Sequence, residues 1–296
     1  NGRYRELAST PEGFVIGIEE SHGYLLVPGI RDKDAAGAAL LLAEIASRLK
    51  AQGKSFSEHL DDIYREFGYV RNFLVSTVML GATGFARMRR IQESLRRDPP
   101  RSIGGRAVTL TEDRWVETGP LGKIVSETDR MSRDLLTFRL EGDARIILRP
   151  SGTESKNKIY VEVCGKPAGK SASPQALAGE RERIDTQARA LGRAFTKEML
   201  RRVDVVVEDH ALEISDLVAL EHKQEFGDRL LPELLERLKR GEKGKDLDAW
   251  LDARLKPYGA DARLLVEPAV AAFLRGPQAP GPEIGSQLRF LFKSSP

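Results

Sequence analysis

The chain has 296 residues but a single cysteine, Cys164, so no disulfide can form within it. No run of about 18 apolar residues occurs, which argues against a membrane-spanning helix. The net charge of +3 is too small to indicate a nucleic-acid-binding protein. His59, His210 and His222 have no ligand-like spacing, so they do not predict a metal site. These absences favour a globular protein of a reducing compartment, and we expect a cytoplasmic one.

The start of the chain also lacks two features. Residues 1–4, Asn-Gly-Arg-Tyr, include no initiator methionine and do not open a signal-peptide pattern. The chain begins in the middle of a pattern, and we therefore expect a fragment of a longer protein. Its length, with 41% hydrophobic and 31% charged residues, is typical of a globular protein with two or three domains.

Residues 1–79 have the pattern of part of an α/β domain. A short apolar run at residues 14–16 predicts a strand that ends in a polar loop. Asp34 is a candidate N-cap for a long apolar helix, and apolar residues at helical spacing predict a second helix over residues 55–67. A β-branched apolar run at residues 72–80 predicts a strand.

Residues 80–202 predict an α+β domain, an antiparallel sheet with flanking helices. A helix is predicted at about residues 84–97, and the Ser-Pro pair at residues 173–174 predicts the start of another. Apolar runs separated by turn residues predict four strands between these helices. The strands are predicted at residues 107–110, 135–140, 144–148 and 158–163.

Residues 203–296 predict a mostly helical extension, because apolar residues recur there at helical spacing. Asp246, Asp248 and Asp252 fall on the polar side of one predicted helix, between buried apolar positions. We therefore interpret them as surface carboxylates rather than as metal ligands. The extension is also a candidate partner-binding appendage, since amphipathic helices often serve that purpose.

The most informative stretch is Arg-Pro-Ser-Gly-Thr-Glu-Ser at residues 149–155, between two predicted strands. Arginine presents a planar fork to phosphate oxygens, hydroxyls donate further hydrogen bonds, and glycine lets backbone N–H groups come close. Such a set of donors, with almost no competing acceptor, predicts a phosphate-binding loop. An ordinary polar hairpin is the alternative. The candidate phosphate-binding residues are Arg149, Ser151, Gly152, Thr153 and Lys158.

A second polar stretch, Gly-Ile-Glu-Glu-Ser-His-Gly-Tyr at residues 17–24, precedes Arg-Asp-Lys-Asp at residues 31–34. Together with residues 149–155, it resembles the α-D-phosphohexomutase superfamily: phosphoglucomutases, phosphomannomutases and phosphopentomutases. In that family a Glu-x-Ser loop of the third domain binds sugar hydroxyls, and an Arg-Pro-Ser-Gly-Thr-Glu loop of the fourth binds the phosphate that is not transferred. The resemblance covers roughly residues 1–200. It implies part of the third domain followed by the fourth.

The resemblance also assigns roles to individual residues. Carboxylates suit a sugar site because they accept short bonds from neighbouring hydroxyls, although a surface pair of glutamates is the alternative. Lys33, beside a phosphate and two acidic neighbours, should remain charged, which favours a binding cation over an acid–base group. We expect the two loops to face a common cleft. The candidate substrate-binding residues are Glu19, Glu20, Ser21, Arg31 and Lys33, with Lys33 also a possible acid or base.

The family's chemistry is phosphoryl transfer within a sugar phosphate, which implies Mg²⁺ and a sugar 1,6-bisphosphate intermediate. The family's catalytic Ser-His-Asn-Pro segment and its Asp-x-Asp-x-Asp-Arg metal loop do not occur in this sequence. We therefore expect a substrate-holding part that is inactive alone. Its expected partners are a phosphorylated sugar and the N-terminal domains of the same enzyme, with neither nucleic acid nor membrane. A non-catalytic phosphosugar-binding module is the alternative. The sugar remains open between glucose, mannose and pentose, with glucose favoured.

Overall fold

The computed structural model describes residues 13–292, apart from residues 20–22, 28, 31, 120 and 153. The chain divides into two compact units. The first contains Asn1–Tyr69 and Gly165–Arg181, and the second contains Val70–Cys164 and Glu182–Pro296. The structure confirms the predicted fold class. It combines mixed α/β structure, an antiparallel sheet with flanking helices and a helical C-terminal region.

The first unit contains a two-stranded antiparallel hairpin and two helices. They are β1 (Gly17–Glu19), β2 (Gly23–Leu25), α1 (Ala35–Ala51) and α2 (Phe56–Phe67). The predicted strand at residues 14–16 is wrong, because these residues are irregular and the strand begins at Gly17. Its backbone pairs with β2, and this pairing, rather than the apolar run, decides where the strand lies.

Both helices of this unit begin as predicted. Asp34 Oδ1 accepts a hydrogen bond from the Gly37 N–H at 3.0 Å, which caps α1. At α2, the Ser55 hydroxyl accepts from the Glu58 N–H while the Glu58 carboxylate accepts from the Ser55 N–H at 2.8 Å. This reciprocal capping box satisfies two backbone donors that the helix itself leaves unpaired.

The second unit is built on a six-stranded antiparallel sheet with the strand order β3-β8-β7-β6-β5-β4. The strands are β3 (Val70–Val78), β4 (Ser102–Ile103), β5 (Arg106–Asp113), β6 (Leu136–Leu140), β7 (Ala144–Pro150) and β8 (Lys156–Cys164). Its helices up to residue 201 are α3 (Gly81–Arg97), α4 (Glu127–Ser132) and α5 (Pro174–Arg201), of which α5 starts in the first unit. The Ser173 hydroxyl accepts from the Ala176 N–H at 3.2 Å, which confirms the predicted start of α5.

The pairing of β3 with β8 is not evident from the sequence. The pattern places the run at residues 72–80 in the α/β domain, yet β3 pairs with β8 along nine residues and forms an edge of the six-stranded sheet. Even at the near end of the ladder, where Val78 pairs with Lys156, the two partners are nearly 80 residues apart, so local pattern cannot reveal the pairing. The domain ranges 1–79, 80–202 and 203–296 remain a prediction.

The core of the second unit lies on one face of this sheet. Alternate residues of β7 and β8 are buried, and aromatic side chains of sheet and helix meet where the Phe138 and Phe195 ring centroids are 5.3 Å apart. Two polar side chains, Gln92 and Asn157, are buried with the apolar ones. The helices contribute Met88, Ile91, Leu95, Ile184, Leu191 and Met199 to this core.

Residues 203–292, hereafter the helical region, confirm the predicted helical character. They contain α6 (Leu220–Glu225), a π-helical turn (Phe226–Leu230), α7 (Leu231–Lys239), α8 (Lys245–Leu255), α9 (Ala262–Phe273) and α10 (Pro282–Phe292). In α8, Leu247 and Leu251 are buried, whereas Asp248 and Asp252 form ion pairs with Arg263 at 3.0 and 2.8 Å. Along the described residues, no helix is both long and apolar enough to cross a bilayer.

Candidate functional site

The predicted phosphate-binding residues lie where β7 and β8 end in a hairpin. Arg149 is paired with Lys158 across the two strands, and Pro150 with Asn157. Residues directly opposite each other in an antiparallel pair project to the same face of the sheet. The hairpin therefore brings one guanidinium and one ammonium group to neighbouring positions.

These two cations lie on the face of the sheet opposite the core. The buried positions of the two strands alternate, with Leu148 and Ile159 fully buried, so the residues next to them in sequence face the other way. Arg149 is exposed and Lys158 is partly exposed. Both charged groups are thus within reach of a ligand.

Arg149 differs from its nearest equivalent in the sheet. Arg145, on the same strand and face, forms an ion pair with Glu162 at 2.8 Å. Among the residues that the structure describes, no carboxylate lies within ion-pair distance of Arg149 or Lys158. A pair of opposed cations without a counter-ion favours the binding of an anion.

The turn that joins the strands is held by its own hydrogen bonds. The Ser151 N–H donates to the Lys156 carbonyl at 2.8 Å, and the Lys156 N–H donates to the Glu154 carbonyl at 2.8 Å. The Glu154 N–H donates to the Ser151 hydroxyl oxygen at 3.3 Å. These bonds shape the described part of the turn, and the Ser151 side chain takes part in them.

The same turn is attached to the end of β3. The Met79 N–H donates to the Ser155 carbonyl at 2.8 Å, and the Ser155 hydroxyl donates back to the Met79 carbonyl. Met79 is fully buried, and it lies two residues before α3, whose N-terminus has no side-chain cap. The loop thus lies beside a helix N-terminus, where backbone N–H groups favour negative charge.

Gly152 lies next to the flexible end of the Met131 side chain. A Cβ atom at this position would lie 2.8 Å from Met131 Cε, and the glycine does not adopt a positive φ. The residue borders a cavity of about 270 Å³ between the loop and α3. The predicted role of Gly152 in letting N–H groups approach a ligand remains a prediction. The cavity is lined by Met88, Gln92, Trp115, Met131, Ser151 and Gly152.

The predicted sugar-binding residues lie in the first unit. Glu19 ends β1, and its backbone pairs with Gly23. The Lys33 N–H donates to Asp32 Oδ1 at 2.7 Å, while Lys33 Nζ is 4.0 Å from the same oxygen and its side chain is 55% exposed. Lys33 directly precedes Asp34, the residue that caps α1. Glu20, Ser21, Arg31 and Thr153 lie outside the described residues, so their roles, like the common cleft, remain predictions.

The comparisons with known proteins point to one family. Residues 5–67 match the family model described as phosphoglucomutase/phosphomannomutase, alpha/beta/alpha domain III. A probable phosphomannomutase of Haemophilus influenzae is 34% identical over 155 residues, 52% of this chain and 29% of that protein. A phosphoglucomutase of Staphylococcus aureus is 34% identical over 153 residues, 51% of this chain and 28% of that protein. About half of this chain is thus similar to phosphoglucomutases and phosphomannomutases.

The resemblance that the two motifs predict is thereby confirmed over about half of the chain. The chain spans less than a third of the length of these curated relatives. Among solved structures, the phosphoprotein pp63/parafusin (phosphoglucomutase) of Paramecium, in its open form, is 19% identical with a TM-score of 0.33. The match covers 59% of this chain and 30% of the Paramecium protein.

The described residues do not fit the Mg²⁺ ion that the family implies. Among them, no three histidine, cysteine, aspartate or glutamate side chains come together as a metal site requires. Asp248 and Asp252 of α8 are paired with Arg263 instead.

The site also contains residues that sequence reasoning does not assign. Ser155 belongs to the quoted motif, but only the fold shows that it ties the loop to Met79. For Met79 no sequence signal exists, because a buried methionine at a strand end is an ordinary core residue. Contacts between segments so far apart in the chain can be found only from the folded structure.

Proposed function

We propose that this chain is the substrate-holding, C-terminal part of a phosphoglucomutase-type enzyme. In this proposal the hairpin of β7 and β8 binds the phosphate that is not transferred, and the loop after β1 binds sugar hydroxyls. The full-length enzyme would move a phosphoryl group between the 1-position and the 6- or 5-position of a sugar phosphate. Mg²⁺, a sugar 1,6-bisphosphate, the N-terminal domains of the enzyme and a cytoplasmic location belong to the same proposal.

The observation that supports it most directly is the opposed pair of Arg149 and Lys158, which has no carboxylate partner among the described residues. Two cations held side by side repel each other, which disfavours the empty site and favours a dianion. A phosphate group accepts a bidentate bond from the guanidinium and a single bond from the ammonium group. Similarity to these mutases makes a sugar phosphate the natural ligand.

The work of these residues is positional. An enzyme that acts on both ends of a sugar phosphate must hold the substrate in two orientations. Tight binding of the phosphate, combined with a few sugar contacts, suits both orientations of the substrate. Such binding orients the reacting end without taking part in bond making, which is how binding energy remote from the reaction centre contributes to rate.

Phosphate binding by the whole 296-residue chain tests this function. Isothermal titration calorimetry with inorganic phosphate and with glucose 1-phosphate should show binding that Arg149→Ala weakens by about tenfold or more, the usual loss for a charged hydrogen-bond donor. Arg145→Ala is the matched control, because it removes an arginine from the same strand and face that is already paired with Glu162. Equal effects of both substitutions would refute the proposal.

A mutase assay tests the inactivity of the chain alone. Conversion of glucose 1-phosphate to glucose 6-phosphate should not exceed background, because the chain lacks the family's phosphoserine segment and metal loop. Clear turnover would contradict this expectation.

The alternative is a stand-alone phosphosugar-binding module. A coding sequence that continues upstream into the two absent motifs would support the enzyme, whereas a start codon directly before Asn1 would support the module.

The sugar is proposed to be glucose. The Glu-Glu-Ser-x-Gly-Tyr form of residues 19–24, followed by Arg-Asp-Lys-Asp, is closer to glucose- and pentose-type mutases than to the short mannose-type loop. A panel of glucose, mannose and pentose phosphates assayed with the full-length enzyme would decide. The highest kcat/KM is expected for glucose phosphates, and a preference for mannose 6-phosphate would overturn this assignment.

A further inference from the structure

The helical region supplies two carboxylates to the outer edge of β3. This strand is the first in the sheet order, so among the described residues its one strand neighbour is β8. Backbone groups on the other side need other partners. Asp216 Oδ2 accepts from the Ser76 N–H at 2.5 Å, and Glu221 Oε2 accepts from the Leu80 N–H at 3.1 Å. The end of β3 is therefore tied to the helical region.

Met79 lies between these two contacts and bonds in the opposite direction. Its N–H and carbonyl groups both bond to Ser155 in the stretch of residues 149–155, the proposed phosphate-binding loop (hereafter the phosphate loop). Successive residues of an extended strand direct their N–H groups to opposite edges. Residues 76 and 80 accordingly face the helical region, whereas Met79 faces the loop. One short segment thus connects the helical region with the loop.

Each carboxylate is itself fixed by a cation. Glu221 Oε1 accepts from Arg87 Nη1 at 3.0 Å, so Glu221 contacts both the N-terminus of α3 and its second turn. Asp216 Oδ1 lies 3.7 Å from Lys223 Nζ. Lys223 is only 6% exposed and donates to the Ile214 carbonyl at 2.7 Å. These partly buried contacts leave the carboxylates little freedom to move.

We propose that Asp216 and Glu221 are positioning residues for the phosphate loop: they fix the strand end through which Met79 holds Ser155. The inference rests on the phosphate-binding function proposed above. It gives the helical region a task within the site although none of its residues needs to touch the ligand. A loop that shifts by a fraction of an ångström loses the alignment on which charged hydrogen bonds depend.

The test measures the affinity of the full 296-residue chain for inorganic phosphate. Glu221→Ala and Asp216→Ala should each weaken binding by about fivefold or more, because the loop loses one of its two supports. Glu233→Ala is the matched control. Its carboxylate has a similar exposure, 39% against 30% for Glu221, and pairs with Arg254 and Arg237 inside the helical region. It should leave affinity within about twofold of wild type.

A conservative variant separates positioning from stability. Glu221→Gln retains an oxygen that can accept from the Leu80 N–H, so it should restore phosphate affinity to within about twofold of wild type. Glu221→Ala should also speed hydrogen exchange at the Met79 amide, which the control should not. If the two carboxylates acted on stability alone, these variants would have a lower melting temperature. Their phosphate affinity, measured at a temperature well below the melting temperature, would not change.

The outcomes distinguish the two proposals. A wild-type chain that binds no phosphate overturns the proposed function and, with it, this inference. A wild-type chain whose binding needs Arg149, but which binds equally well with Glu221→Ala, Asp216→Ala and Glu233→Ala, overturns this inference alone. Should Glu221→Ala not fold, Asp216→Ala decides by the same criterion.

Discussion

Arg149 and Lys158 are directly opposed residues of β7 and β8, and both project from the face of the sheet that the core does not occupy. Neither has a carboxylate within ion-pair distance among the described residues. Opposed side chains in an antiparallel pair are about 5 Å apart at Cβ, close enough for like charges to repel. Their arrangement lowers the stability of the empty site, and a bound anion would relieve the repulsion.

This repulsion predicts that loss of binding and loss of stability separate at Lys158. Lys158→Met removes the charge and retains the apolar stem. We expect the free energy of unfolding to stay equal or to rise by a few tenths of a kcal/mol, while phosphate affinity falls. Chemical denaturation and phosphate titration measure the two effects. Arg145→Met is the control, since it breaks the pair with Glu162 and should bring no gain in stability. A clear loss of stability in Lys158→Met would contradict the prediction.

Gln92 provides a second prediction, this time for the core. Its side chain is 3% exposed, and neither amide atom has a hydrogen-bond partner among the described residues. An unpaired buried amide costs about 1–3 kcal/mol. Gln92→Leu, of similar volume, should therefore raise the free energy of unfolding by about 1 kcal/mol or more.

Chemical denaturation of three proteins tests this expectation: wild type, Gln92→Leu and Gln92→Glu. The glutamate variant should be less stable than wild type, because it places a charge at the same buried position. A less stable leucine variant would mean that the amide has a bound partner, such as a water molecule in the adjoining cavity.

Much of the fold can be predicted where a signal is local. The capped starts of α1 at Asp34 and of α5 at Ser173, and the alternation that forms β7 and β8, are written in short stretches of sequence. The motif at residues 149–155 likewise identifies the candidate phosphate site, because its donors are neighbours along the chain. Short-range hydrogen bonds and side-chain periodicity determine all of these features.

The rest depends on contacts between distant segments. Sequence pattern does not reveal the ladder of β3 with β8, because it joins residues far apart in the chain. Asp216 and Glu221 have the sequence surroundings of ordinary surface acids, since their partners at Ser76 and Leu80 are about 140 residues away. Gln92 is hidden within the apolar stripe of α3. Pattern along the chain carries no information about such tertiary neighbours.

The amphipathic helix α2 gives a third prediction, based on the contrast between its exposed apolar face and the core. Phe56, Leu60, Ile63 and Phe67 are spaced along one face, yet each is between 38% and 66% exposed. Leu60→Lys should therefore change the free energy of unfolding by no more than about 0.5 kcal/mol, as a surface substitution does. Binding of an apolar dye should decrease, because exposed apolar patches bind such probes.

Phe138→Ala provides the reference for burial. Phe138 is fully buried against Phe195, and its truncation should cost about 3–5 kcal/mol. Both variants can be compared in the same denaturation experiment. If Leu60→Lys proved as costly as the core substitution, α2 would have to be covered in solution, for example by a second copy of the chain.

The fourth prediction concerns pH. Burial lowers the pKa of His210 below its ordinary value, and the charges of Glu208 and Asp209 oppose this shift only in part. The ring lies against Phe273, with centroids 5.2 Å apart, and against Phe226 at 6.4 Å. Such surroundings favour the neutral imidazole in the folded protein.

The sign of the effect follows from proton binding. Between the lowered pKa of the folded state and the ordinary value of about 6.5 in the unfolded state, the unfolded chain binds more protons. The contribution of His210 to stability is therefore complete above about pH 6.5 and declines as the pH falls through this window towards the folded-state pKa. Melting temperatures between about pH 7.5 and pH 5 should decrease accordingly. His210→Phe should flatten the profile. Equal slopes in wild type and His210→Phe would assign the pH dependence to other groups.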